Sequence, residues 1–118
     1  MSPAVDDEDE GRLTTDLWVS AHLRAANAEG VPMTVARKGD RTRGTVLLKL
    51  NRLDGSCQVL TQVRHRGKLA WSRGTGPDPV PEAEADRYIE RQLRYDSDLW
   101  VIEIEDRQGR HWFDGPVV

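Results

Sequence analysis

The 118-residue chain reads as one α+β domain, a single antiparallel sheet with two helices packed on one face. Three observations predict this. Two segments repeat apolar residues at helical spacing, and the stretches between and after them alternate apolar with polar residues. The breaks between alternating runs carry Gly, Asp and Pro, which suit tight turns. The expected order is α-β-β-β-β-α-β-β, a four-stranded meander plus a C-terminal hairpin.

Residues 1–11 are expected to form a disordered acidic tail, because Asp6, Asp7, Glu8, Asp9 and Glu10 repel one another and offer nothing to bury. The domain proper is expected over 12–118. Its first helix runs from Thr14 to Gly30, with Leu17, Trp18, Ala21, Ala25 and Ala28 at helical spacing. Thr15 suits a cap and Asp16 suits the positive end of the helix dipole. The same residues also fit a short strand at Leu17–Val19 followed by a shorter helix capped by Ser20. Gly30-Val31-Pro32 ends the helix.

Four strands follow. Val31, Met33 and Val35 share a face of the first, and Val46, Leu48 and Leu50 of the second. Cys57, Val59, Thr61 and Val63 mark the third, Leu69 and Trp71 the fourth. Lys38-Gly39-Asp40 with Gly44, Asp54-Gly55 and Arg66-Gly67 supply the turns. Prolines 77, 79 and 81 make residues 74–81 a loop. A helix is expected from Glu82 to Tyr95, with Ala85, Tyr88, Ile89, Gln92 and Leu93 on one side. Leu99 to Glu105 is a strand with Trp100, Ile102 and Ile104 on its dry face and Val101, Glu103 and Glu105 on a wet one. A turn at 106–110 leads to a short last strand, His111-Trp112-Phe113.

Composition narrows the function classes. One cysteine, Cys57, excludes a disulfide within the chain and suits a reducing compartment. No apolar run approaches membrane-spanning length, and the N-terminus lacks the basic start and apolar middle of a secretory signal. A cytoplasmic protein without membrane association is expected.

Catalytic chemistry finds little support. Cys57 shares a strand face with Val59 and Val63 and reads as a small buried residue; His22, His65 and His111 stand in no catalytic motif. The histidines are isolated and the cysteine unpaired, so no metal site is expected. Glu103, Glu105 and Asp106 read as a solvated strand face and turn rather than cation ligands. No glycine-rich phosphate loop occurs, and no cofactor is expected.

Charge is the distinctive feature. The net charge of −3 conceals a basic middle: residues 37–73 carry ten bases and two acids, while 1–36 carry seven acids and two bases, and 74–118 eleven acids and five bases. In a meander the first and third turns lie at the same end of the sheet. Arg37, Lys38, Arg41 and Arg43 would then join Arg64, Arg66 and Lys68 in a basic rim, fit for phosphates or an acidic partner.

Three stretches resemble a known family: residues 12–21 (Arg12 to Ala21), Asn51-Arg52-Leu53-Asp54-Gly55, and residues 79–86 running on to 96–106. Together they are similar to a short alphaproteobacterial family classed as a domain of unknown function, over nearly the whole chain after the acidic tail. The resemblance implies a bacterial cytoplasmic, free-standing domain. It implies no activity and transfers no site residue.

The function expected is therefore a small binding or adaptor domain whose basic rim meets an anionic partner, an acidic protein surface or a nucleic acid. One alternative is an enzyme with a dispersed site, in which Trp100, Glu103, Glu105 and His111 line one pocket. Another is a structural homodimer joined through Leu47, Leu60 and Val101 on outward strand positions.

Overall fold

The computed structural model describes residues 13–118, and the expected acidic tail at 1–11 lies outside the described residues. The fold is α+β: two helices and one six-stranded sheet. The elements in chain order are α1 (Thr15–Ala28), β1 (Met33–Arg37), β2 (Val46–Asn51), β3 (Ser56–His65), β4 (Lys68–Arg73), β5 (Val80–Pro81), α2 (Glu82–Tyr95) and β6 (Trp100–Glu105). No helix among the described residues is long and apolar enough to cross a membrane.

α1 is continuous from Thr15, so the alternative strand at Leu17–Val19 is not formed. Its N-cap is Thr14 rather than Thr15. The Thr15 hydroxyl instead donates to the Gly44 carbonyl at 3.0 Å, tying the helix start to the loop before β2. α2 has the expected bounds; Pro81 precedes it, and Glu82 and Glu84 lie in its first turn.

The sheet differs from the expected antiparallel meander. Its order is β1-β6-β2-β3-β4, with the two-residue β5 beside β3. β6 lies between β1 and β2, antiparallel to the first (Val35 opposite Ile102) and parallel to the second (Leu48 opposite Ile102). The sheet is therefore mixed. Only β2-β3-β4 form the hairpin series that their turns suggest. His111–Phe113 is not a strand. The chain crosses the sheet there as coil and then lays Val117 alongside Trp71 at the outer edge of β4.

The helices also lie on opposite faces. Val19 and Ala26 of α1 pack with Leu48, Leu50, Leu60, Trp71, Trp100, Ile102 and Ile104. Ala85 and Ile89 of α2 pack with Leu47, Cys57, Val59, Leu99 and Val101. The face expected to be wet is thus covered, which is why consecutive β2 residues are buried on both sides. Leu47, Leu60 and Val101 are 1%, 1% and 4% exposed, so the dimer contact expected through them is not available.

Candidate functional site

β1 ends, β2 and β6 begin, β3 ends and β4 begins at one end of the sheet. Both basic turns therefore lie at that end, although the meander that predicted this is absent. The connection from β1 to β2 crosses over the start of β6. The Asp40 amide donates to the Asp98 carbonyl at 3.0 Å, and the Trp100 indole Nε1 donates to the Asp40 carbonyl at 2.7 Å. Gly44 packs so tightly that a Cβ there would stand 2.6 Å from the Asp98 carbonyl oxygen and 2.7 Å from Trp100 Cδ1.

The expected rim residues divide by what they touch. Arg37 is half-buried and structural: its Nη1 donates to the Ser97 and Leu99 carbonyls, both at 3.0 Å. Arg41 is exposed and pairs with Asp16 (Nε to Oδ2, 3.2 Å). Arg64 donates to the Gly67 carbonyl at 3.0 Å and stiffens the β3–β4 turn. Lys38, Arg43, Arg66 and Lys68 are exposed and have no carboxylate partner among the described residues. The same end also carries acids: Asp40, whose carboxylate accepts the Thr42 and Arg43 amides, and Asp96 and Asp98 before β6. β6 and β2 separate Arg37, at the end of β1, from the β3–β4 hairpin, whereas Arg43 comes shortly before β2, the neighbour of β3.

At the hairpin there is a groove of about 520 Å³. His65, Arg66, Lys68, Leu69 and Ala70 form one wall and Asp114, Gly115 and Pro116 the other. The second wall is held by aromatic packing. Trp71 Nε1 donates to the Asp114 carbonyl at 2.7 Å, and the Trp71 amide donates to the Pro116 carbonyl at 2.9 Å. Trp71 stacks on Trp18 with centroids 6.3 Å apart, and His22 stacks on Phe113 at 4.5 Å. His22 Nε2 lies 3.4 Å from Asp114 Oδ2. The sequence signal for this wall was Asp114-Gly115-Pro116, a turn after an aromatic run; reading 111–113 as a strand hid it.

Residues 13–114 match a family model described as "Protein of unknown function (DUF1491)". The chain belongs to the DUF1491 family. A crystal structure of a DUF1491 family protein from Caulobacter crescentus CB15 is similar to it with a TM-score of 0.76 and 40% identity, over 90% of this chain and 97% of that one. An NMR structure of a DUF1491 family protein from the same organism gives 0.76 and 41%, over 90% and 96%. The solution structure of protein Atu0922 from A. tumefaciens gives 0.67 and 28%, over 80% and 86%. No curated protein matches the chain.

This DUF1491 domain has a second polar cluster, beneath α2. Lys49 sits in the otherwise apolar run Val46–Leu50 and is 7% exposed. Its Nζ lies 2.8 Å from Glu82 Oε2 and 2.8 Å from Asp86 Oδ1. Burial opposes its charge, but Asp86 and Glu82 outweigh that and raise its pKa above the ordinary 10.5. The amine thus stays protonated and is not a nucleophile or base. Burial likewise pushes the nearby Cys57 thiol up to about 11, so it holds its proton at neutral pH. Asn51 Nδ2 donates to Glu103 Oε2 at 2.9 Å and completes the cluster. The arrangement anchors a helix and does not suit covalent chemistry.

The dispersed enzyme site is not assembled. Trp100 points into the α1 face with its indole committed to Asp40, whereas Glu103 lies on the α2 face. His111 packs against Trp71 in the C-terminal segment. Asp106 is not a solvated turn residue but buried. Burial raises its pKa, yet hydrogen bonds from Trp112 Nε1 (2.7 Å) and Arg110 Nε (2.8 Å) outweigh this and hold the carboxyl below its usual range. Its oxygens are occupied within the fold, and no group of residues suited to hold a metal ion occurs among the described residues.

Proposed function

We propose that this DUF1491 domain is a non-catalytic binding module of the cytoplasm whose β3–β4 hairpin takes an anionic partner. The observation that carries the reading is the groove at the hairpin, where Arg66 and Lys68 stand exposed beside His65, without carboxylate partners among the described residues. Its apolar lining of Leu69, Ala70 and Pro116 favours an acidic polypeptide segment over nucleic acid. Nucleic acid held as single strands is gripped largely by aromatic platforms, and none lines the groove. Trp18, Trp71 and Phe113 are engaged with one another in the interior. A lone buried thiol is stable in the reducing cytoplasm.

The test is a titration of the domain against fluorescent polyglutamate and against single- and double-stranded oligonucleotides, at low and physiological salt. Polyglutamate should bind at low salt and lose affinity as salt rises. Arg66→Ala with Lys68→Ala should weaken it about tenfold. Preferential binding of an oligonucleotide would replace the acidic protein with a nucleic acid partner. No binding of any probe at low salt would discard the reading.

A further inference from the structure

The outer edge of β4 is only partly covered. Trp71 donates its amide to the Pro116 carbonyl at 2.9 Å and accepts the Val118 amide at 2.8 Å, so its backbone groups turn away from β3. Hydrogen-bonding direction alternates along a strand, so the amide and carbonyl of Leu69 face the same outer edge. Trp71 pairs with Val117 in parallel. Carried back to Leu69, that pairing would join its amide to the Asp114 carbonyl and its carbonyl to an amide at position 116. Pro116 has no such amide. The Asp114 carbonyl already accepts Trp71 Nε1 at 2.7 Å. The ladder stops there, and the groove of about 520 Å³ opens beside Leu69.

The groove presents donors and cations but few free acceptors. The Leu69 amide has no partner among the described residues. Gly115 stands so close to the Leu69 carbonyl that a Cβ there would lie 2.9 Å from its oxygen. The carbonyls of the opposite wall are engaged inside the fold, those of Asp114 and Pro116 with Trp71 and that of Gly115 with His111 Nε2 at 3.1 Å. The Asp114 carboxylate lies 3.4 Å from His22 Nε2 of α1. Arg66 and Lys68 are exposed and have no carboxylate partner among the described residues. Arg66 also holds a left-handed φ of +54°, which asparagine, aspartate or glycine adopts more readily in such a turn. Half-buried Leu69 and exposed Pro116 add apolar surface.

A peptide strand passing through would bring amides as well as carbonyls, and its amides would find no free backbone acceptor on either wall. A chain end brings a carboxylate, which only accepts. We propose that the groove holds the C-terminal carboxylate of the partner polypeptide, with the Leu69 amide donating to it, Arg66 and Lys68 balancing its charge, and an apolar last side chain resting on Leu69 and Pro116. The inference deepens the binding reading above and rests on it for the role of the hairpin cations. Backbone amides that capture a terminal carboxylate are a recurrent mode of peptide recognition, and the ionised acceptor strengthens each such bond.

The experiment titrates two peptides, fluorescent at their N-termini, into the full chain at low salt. One is Glu-Glu-Glu-Ala-Val with a free C-terminal carboxylate. The other is Glu-Glu-Glu-Glu-Ala-Val closed as its C-terminal amide, which carries the same charge. The free carboxylate should bind about tenfold more tightly. In two-dimensional amide NMR spectra the Leu69 signal should move downfield with that peptide alone. Equal affinities, an unmoved Leu69 amide, or no binding of either peptide would overturn the inference. Polyglutamate closed as its C-terminal amide separates this outcome from the failure of the broader reading. If it binds while the two peptides do not differ, the hairpin is an anion site that does not recognise a chain end. If the free-carboxylate peptide alone binds, the chain-end site stands and the acidic-segment reading falls.

Discussion

Lys49 Nζ lies 2.8 Å from Asp86 Oδ1, and the two ends of this contact are unequally buried: the lysine is almost fully enclosed, while half of the carboxylate side chain is exposed. The inequality predicts an asymmetric response to mutation. Removing Lys49 lets Asp86 and Glu82 return to water, whereas removing both acids strands a buried ammonium group. Lys49→Met should cost under about 1.5 kcal/mol, and Glu82→Ala with Asp86→Ala about 3 kcal/mol. Urea unfolding of the variants checks this, and a reversed order would refute the account of α2 docking. Because the folded lysine has the raised pKa, its contribution is complete below about pH 10.5 and is lost only as pH climbs through the higher folded value.

Cys57 should be inert in the folded protein. Its thiol is fully buried, with a pKa pushed up to about 11 by that burial. Reaction with a disulfide reagent at about pH 8 should be slower than in the urea-unfolded chain by about a hundredfold or more. Equal rates would mean that α2 lifts readily from the sheet.

His111 ties the C-terminal segment to pH. Burial lowers its pKa from 6.5, against smaller opposing effects of the Gly115 carbonyl and Asp114. Its Nε2 donates to the Gly115 carbonyl at 3.1 Å, leaving Nδ1 to accept the Phe113 amide at 3.0 Å, so the neutral ring serves both. The unfolded chain therefore takes up this proton at a higher pH than the folded one. Its stabilising contribution is complete above about pH 6.5 and declines as pH falls through that value. The urea midpoint should drop between about pH 7 and pH 5 by more in the parent than in His111→Asn. Identical slopes would exclude His111 as the source.

Two glycines separate crowding from backbone freedom. At Gly44 a Cβ would collide with the Asp98 carbonyl and with Trp100, whereas at Gly30 nothing lies within 4 Å and only the φ of +83° resists a side chain. Gly44→Ala should destabilise by about 3 kcal/mol and Gly30→Ala by about 1 kcal/mol. Thermal unfolding of the two variants tests the packing of the first basic loop over β6.

The local structure was legible in the sequence because it follows from short-range periodicity. Glu82 to Tyr95 forms a helix with the expected bounds, and the β2-β3-β4 hairpins form at Asp54-Gly55 and Arg66-Gly67. What failed was pairing between distant segments. Lys38-Gly39-Asp40 resembles a hairpin turn, yet the loop it opens spans a third strand, and no local rule distinguishes the two uses. Glu103 and Glu105 suggested an open face. Lys49 inside an apolar run carried the opposite message: β2 is covered on both sides, and a buried cation there needs acids from an overlying element. Of the candidate site, the hairpin cations were legible, but the opposing wall from Asp114 to Pro116 depends on tertiary docking through Trp71.

The insertion of β6 between β1 and β2 bears on synthesis. Val35 pairs with Ile102 and Val46 with Trp100, so an interior strand of the sheet is the last of the described strands to be made. A nascent chain leaving the ribosome can close the β2-β3-β4 hairpins early, but it holds β1 and one edge of β2 unpaired until residue 105 clears the exit tunnel. A chain cut short before β6 leaves two open strand edges for other chains to capture.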